Sequence, residues 1–320
     1  MSTIISLPET HSIELSRILD RTQEYAEQSK SANTIRAYKS DWGEFVLWAD
    51  YHKLSSLPAE VETVAIYLTA RADTLKVSTL ARRLTAISEA HKLAGFPSPC
   101  EDKRIQTIWK GIRRTKGIAR TEKKPLLSEE LRLLFKHLPD NLQGVRDRAL
   151  ILLGYVGAFR RSELVSIDRF DLSFVQEGIL VQLRRSKVDQ EGAGSVKAIP
   201  YSSSPDLCPV RSILAWMSAT PQISGPLFVS IGKGDRLHPD RLSDKSVALI
   251  IKRILEKASK DPSEYSGHSL RAGFATQAAL NSASDRSIMQ QTQHKSRAMV
   301  DRYVRVTSIW QDNAATKLGL

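Results

Sequence analysis

The sequence predicts a mainly α-helical chain of two domains, the second of which carries a small antiparallel β-sheet. Apolar residues recur at helical spacing from Ile35 to Ile112, a basic stretch marked by Gly117 and Pro125 then interrupts the pattern, and between Gly178 and Tyr201 the period changes from helical to alternating. A chain of 320 residues suits two cores better than one.

Residues before Ser31 are polar and weakly periodic and read as a loose leader. A first helix starts near Ser31 or Asn33, with Ile35, Tyr38, Trp42, Phe45 and Ala49 on one stripe. Pro58, Glu60 and Glu62 form the acidic opening turn of a second, whose Val61, Val64, Tyr67 and Leu68 face one way. A third begins near Ser78 and aligns Leu80, Leu84, Ile87 and His91, with Arg82 and Arg83 off that stripe. A fourth carries Ile105, Ile108 and Ile112. Between Lys103 and Lys124 nine basic residues face one acid, Glu122, a local charge of 9 − 1 = +8. A first domain over 1–117, a basic linker over 118–127 and a second domain over 128–320 follow.

In the second domain an apolar helix from about Arg146 to Tyr155 breaks at Gly157, and another begins near Ser162, which puts Arg160 at the turn between them. GILVQLRRSKVDQEGAGSVKAIPY reads as a β-hairpin with Lys187 near its tip. Helical patterning resumes from Ser246 onward and runs through Tyr303.

Forty-seven Lys and Arg against thirty-five Asp and Glu leave a net charge of +12 and a pI near 9.7, which fits a polyanion, nucleic acid ahead of an anionic membrane surface. No window reaches the apolar length of a membrane span and no secretion signal opens the chain, so a soluble, unexported protein is expected. Cys100 and Cys208 are too few for a disulfide framework and wrongly spaced for zinc, and read as reduced thiols. Gly225 and the Gly232–Lys233 pair do not make a nucleotide-binding loop, and no acidic cluster suggests a two-metal site. No cofactor and no metal are expected, so phosphodiester chemistry here would rest on cationic side chains.

Such side chains occur in a particular order. GAFRRSEL offers Arg160 and Glu163, SKVDQ offers Lys187, GHSLR offers His268 and Arg271, QHKS offers His294, and SRAMVDRYVR supplies Tyr303. Alone, each has an ordinary explanation. Arg160 and Glu163 make an i,i+3 surface pair, H-x-x-R arises by chance in roughly one chain in three, and Tyr303 shares a stripe with Met299 and Val300 as a core aromatic would. Their joint order and spacing, with Tyr303 nine residues after His294, is what those explanations lack.

This constellation resembles the tyrosine recombinase or phage integrase family, with its R-x-S-E-L box, hairpin lysine, H-x-x-R, and His or Trp nine residues before a tyrosine. The resemblance implies a two-domain C-shaped DNA clamp made of a helical core-binding (SAM-like) domain and an α/β catalytic domain. It implies that Tyr303 attacks a DNA phosphate to form a 3′-phosphotyrosine without metal or ATP. Arg160 and Arg271 would hold the phosphate oxygens, His268 accept the phenolic proton, Lys187 protonate the leaving oxygen, His294 add a hydrogen bond, and Glu163 orient the phosphate-binding groups. The family's first box usually has glycine two positions before the arginine. Here Ala158 stands there and Gly157 one earlier, so a slightly different turn is expected.

DNA-contact candidates in the first domain are Lys76, Arg82, Arg83, Lys110, Arg113 and Arg114, with a solvated basic face as the plain alternative. The resemblance further implies a Cre-like or Xer-like simple recombinase, monomeric in solution and tetrameric on two double-stranded sites with inverted repeats. Its expected place is the cytoplasm, on the nucleoid, of a prokaryote or in a phage or plasmid setting. The apolar tail positions Ile309, Trp310, Ala314 and Leu318 would dock either on the same chain or on a neighbouring protomer. Two other readings stay open: a non-catalytic sequence-specific DNA-binding protein on the same fold, and a strand transferase like the telomere resolvases or type IB topoisomerases.

Overall fold

In the computed structural model, which describes residues 21, 25, 30–117, 123–184, 194–222, 224–294, 296–301, 303 and 318, the periodicities of the N-terminal part become four helices. The chain divides into two compact units, Met1–Thr121 and Glu122–Leu320. In the first, α1 (Ala32–Tyr51) starts where the Ser31 hydroxyl accepts the Thr34 N–H, and α2 (Val61–Ala72), α3 (Val77–Leu93) and α4 (Lys103–Lys116) follow. Phe45, Ala49, Val64, Tyr67, Leu68, Leu80, Ile87 and Ile105, all on the expected stripes, form the core together with Trp48, which lies on none of them. His91 is fully buried with them; its Nε2 accepts the Ala59 N–H at 2.9 Å while Nδ1 lies 2.8 Å from the Ile87 carbonyl, which requires the neutral ring with its proton on Nδ1.

The second unit begins before its first helix. Residues 123–127 are extended against it: the Lys124 N–H donates to the Glu264 carbonyl at 2.8 Å, and the Leu126 N–H to the Ser269 carbonyl at 3.0 Å. Leu126 is fully buried, because the apolar pair Leu126–Leu127 has a core to enter, so the downstream half of the basic stretch is a docked strip. Then come α5 (Ser128–Phe135), α6 (Leu142–Val156), α7 (Arg161–Ser166), β1 (Leu172–Val175), β2 (Gly178–Leu183), β3 (Ser195–Pro200) and α8 (Pro209–Ala219). The short pair β4 (Val229–Ile231) and β5 (Leu237–Arg241) precedes α9 (Asp244–Lys257), α10 (Ser269–Leu280) and α11 (Asp285–Thr292), with further helical residues at 297–301 and 303.

The expected hairpin is β2–β3, antiparallel with Ile179 opposite Ile199 and Val181 opposite Lys197. β1 adds a third strand beside β2, and β4–β5 make a separate two-stranded sheet; the sequence reading named neither. It also passed over α8, although Pro209 at its first turn and Val210, Ile213 and Trp216 on one face carry the helical signal. Ile179, Val181, Leu183 and Ile199 turn inward onto α6 and α8 residues such as Leu150, Leu153, Ile213 and Trp216 in a core that also takes in Leu270 of α10, while Ile288 of α11 packs in a smaller cluster with Ala275 and Val300.

Candidate active site

The site grows from the way α6 stops. The Phe159 N–H reaches back to the Gly154 carbonyl at 3.1 Å and the Ala158 N–H to the Tyr155 carbonyl at 3.0 Å, the paired bonds of a Schellman cap. Such a cap needs a left-handed residue just past the helix, and Ala158 takes that role at φ 46°. The turn is therefore the one glycine would make, with alanine accepting the strain of the left-handed region. Arg160, two residues on, becomes the N-cap of α7, and the Glu163 carboxylate caps its backbone N–H at 2.9 Å while also pairing with its guanidinium. Glu163 is buried, so Arg160 is held from below with its charge partly matched.

Arg271, on α10, is 1% exposed and is gripped by main chain rather than by an acid. Its Nη1 donates to the Ala158 carbonyl at 2.7 Å, and its Nη2 donates to the Thr292 carbonyl. His268 occupies the N-cap of the same helix, three residues earlier and exposed. His294 follows the end of α11, half-buried, with Nδ1 2.9 Å from the Thr292 hydroxyl; that hydroxyl also lies 2.6 Å from the Ile288 carbonyl. Tyr303 is carried by helical residues whose Val300 is buried against Ala275 and Ile288. Its hydroxyl stands 3.2 Å from His268 Nε2, and its ring lies nearly parallel to His294 with centroids 6.1 Å apart. Five of the six residues expected to do chemistry thus meet at one place; Lys187 lies outside the described residues, as do Ile309, Trp310 and Ala314.

Sequence reasoning missed one charged group here. Lys197, on β3, is 2% exposed, and its ammonium donates to the Gly157 and Gln291 carbonyls at 2.7 Å each. Alternation carried the signal, because Ile199 faces the core and the residue two before it must as well.

Positive charge accumulates at this place. Burial pushes Lys197 down to about 7, with Arg271 and Arg160 adding to the effect and Glu163 opposing it. Burial, then Arg160, pushes Arg271 down to about 10. His294 is pushed down to about 4 by burial and then by Arg271, Arg160, His268 and Lys197. Among the described residues, Glu163 is the carboxylate bearing on both Lys197 and Arg271, so the cluster keeps positive charge that an arriving anion would relieve. Among the described residues no group of three or more His, Cys, Asp or Glu side chains is placed to hold a metal ion, and no helix is long and apolar enough to cross a membrane.

The first-unit candidates divide. Lys76, Lys110, Arg113 and Arg114 are exposed. Arg82 forks onto Asp41 at 2.5 and 3.2 Å and remains half-exposed. Arg83 turns inward, 12% exposed, onto Glu44 and the Tyr67 hydroxyl.

The chain matches the Phage integrase family over residues 124–308, a span that contains Arg160, Glu163, Lys187, Lys197, His268, Arg271, His294 and Tyr303. The chain belongs to that family. A second match, to the phage integrase N-terminal SAM-like domain, covers residues 23–94 of this tyrosine recombinase. It is 43% identical over 296 residues to an integrase/recombinase xerD homolog of Selenomonas ruminantium, covering 91% of this chain and 87% of that one. It is 28% identical to tyrosine recombinase XerC of Syntrophus aciditrophicus, covering 92% and 93%. Its fold is that of the XerH recombinase in a post-cleavage complex with a palindromic difH substrate, at TM-score 0.59 and 15% identity over 80% of this chain and 72% of that one. A lambda integrase tetramer bound to a Holliday junction gives TM-score 0.59 at 17% identity, over 92% and 81%.

Proposed function

We propose that this enzyme cuts and rejoins DNA strands site-specifically, with Tyr303 as nucleophile. The observation that carries the assignment is the Tyr303 hydroxyl 3.2 Å from His268 Nε2, beside a cluster of buried cations with one shared carboxylate. At pH 7 only about one free phenol in a thousand is ionised, so attack needs a proton acceptor, and His268 is within reach of that proton. Tyr303 Oη forms a bond to phosphorus as the bond from phosphorus to the 5′ oxygen breaks. The result is a 3′-phosphotyrosyl ester and a free 5′-hydroxyl, the leaving oxygen taking a proton from Lys187. Arg160 and Arg271 face the charge that grows on the non-bridging oxygens, where each donor contributes on the order of 10²–10³ in rate.

His294 enters through its tautomer. The single Thr292 hydroxyl proton serves either the Ile288 carbonyl or His294 Nδ1. When it serves Nδ1, the ring proton sits on Nε2 and can be donated to the phosphate. The ester keeps the free energy of the cut bond, so a 5′-hydroxyl from a second duplex reseals the strand without ATP or metal.

The partner is double-stranded DNA with inverted-repeat core sites, synapsed by four protomers that are separate in solution. Lys76, Lys110, Arg113 and Arg114 are the first-unit side chains best exposed to meet phosphates, and the place of work is the nucleoid of a prokaryote or its mobile elements. Wild-type and Tyr303→Phe protein incubated with nicked duplexes bearing candidate repeats, in EDTA without ATP, test the reading. A Tyr303-dependent, SDS-resistant adduct is expected; specific binding without an adduct on a verified site would assign a DNA-binding protein instead. Exchange between two duplexes separates recombination from a telomere resolvase or topoisomerase outcome.

A further inference from the structure

Lys197 has no place in the chemistry above, yet it is a buried ionisable group, which is unfavourable unless something offsets it. Its two acceptors are not arbitrary. Gly157 belongs to the cap that presents Arg160, and Gln291 belongs to the helix end that presents His294. Arg271 holds the next carbonyl of each segment, Ala158 and Thr292. Two parallel cations therefore clasp the same two pieces of chain, one from β3 and one from α10. The Phe159 ring, 4.7 Å from the Lys197 ammonium, closes the remaining side.

We infer that Lys197 is a positioning residue for strand cleavage, tying the Arg160 turn to the His294 helix end so that both side chains and Arg271 converge on one phosphate. The inference rests on the roles proposed above for those three residues. Lys197 does not touch substrate: two of its three ammonium hydrogens go to carbonyls and the Phe159 ring covers the remaining side, whereas Arg271, equally buried, keeps three of its five N–H donors beyond its two carbonyl bonds. Its removal leaves two carbonyls without their donor and lets the segments separate. A displacement on the order of 1 Å costs about 10²-fold in rate when reacting groups must align.

The test uses the full chain on a cleavable duplex under single-turnover conditions. Lys197→Met should lower the cleavage rate at saturating DNA about 10²-fold while the dissociation constant stays within about twofold. Lys197→Arg, which keeps a cationic donor, should cleave faster than the methionine variant. Ile213→Ala, a core change on α8 that removes none of the site's hydrogen bonds, supplies a destabilised control and should cleave within threefold of wild type. A duplex with a 5′-bridging phosphorothiolate, whose sulfur leaves without a proton, should not rescue Lys197→Met. A wild-type rate in Lys197→Met, a loss no greater than in Ile213→Ala, or rescue by the thiolate would overturn the inference, the last by making Lys197 a proton donor. If the methionine variant does not fold, Lys197→Gln carries the same comparison. An adduct surviving in Tyr303→Phe would instead refute the underlying reading and say nothing against the clasp.

Discussion

The arginines of the first unit and the cations of the second unit's site are held in opposite ways. In the first unit they meet acids: Arg82 on Asp41, Arg83 and Arg71 on Glu44, Arg104 on Asp102 and Glu62. At the site, Arg271 and Lys197 meet carbonyls and Arg160 pairs with Glu163, while elsewhere in the second unit Arg146, Arg184, Arg241 and Arg253 meet acids as the first unit's arginines do. A carboxylate fixes a cation and cancels it, whereas a carbonyl fixes it and leaves the charge available. Net charge alone is therefore a poor guide to where an anion binds, because a basic face laced with acids is a scaffold and a few uncancelled cations are a site.

The sharpest way to break this contrast is Arg271→Lys. A single ammonium cannot hold the Ala158 and Thr292 carbonyls and a phosphate in the fork geometry of a guanidinium, so single-turnover cleavage should fall by at least about 10²-fold while DNA affinity changes little. A rate within tenfold of wild type would mean that the carbonyl grip is not what makes Arg271 useful. Next comes the first unit. Arg83→Ala should lower unfolding free energy by about 2 kcal/mol in denaturant titrations, with little change in the salt dependence of DNA binding. Arg113→Ala and Arg114→Ala should leave stability alone and each reduce the slope of log K against log salt by about one. The reverse pattern would move Arg83 onto DNA.

A finer test uses pH. The folded protein depresses Lys197 to about 7 among Glu163, Arg160, Arg271 and His294, so above that value the unfolded chain binds more protons at this residue. Stability of wild type relative to Lys197→Met should then rise between pH 7 and pH 9 and be flat below pH 7. A flat difference across the whole range would show that the ammonium feels no burial penalty. The smallest effect is expected at Ala158→Gly: relief of the left-handed strain offsets a lost buried methyl and a freer unfolded chain, for a net change within about 1 kcal/mol, read from thermal melts.

The helices of the first unit and the order of the reacting residues were legible because both are patterns along the chain. Stripes such as Phe45 to Ala49 and Val64 to Leu68 need only periodicity, and the nine-residue step from His294 to Tyr303 needs only counting. Lys197 was not legible: a lysine next to alternating apolar residues looks like a strand's solvent face until Ile199 is known to point inward. The inward pairing of Arg83 was not legible either, since its acids, Glu44 and Asp41, lie on another helix about 40 residues earlier and no local pattern reports them. Ala158 looked like a departure from the expected turn, but left-handed geometry is a property of the cap, and the cap tolerates alanine.

The end of α6 has an electrostatic consequence for the DNA. A helix C-terminus behaves like about half a negative charge, an unwelcome neighbour for a phosphate. Here the Val156, Gly157 and Ala158 carbonyls are covered in succession by the Gln291 amide, the Lys197 ammonium and the Arg271 guanidinium. Three adjacent carbonyls that would repel an approaching anion are thereby each covered by a donor, two of them cationic, and a helix can end beside a cluster of positive charge without cancelling it.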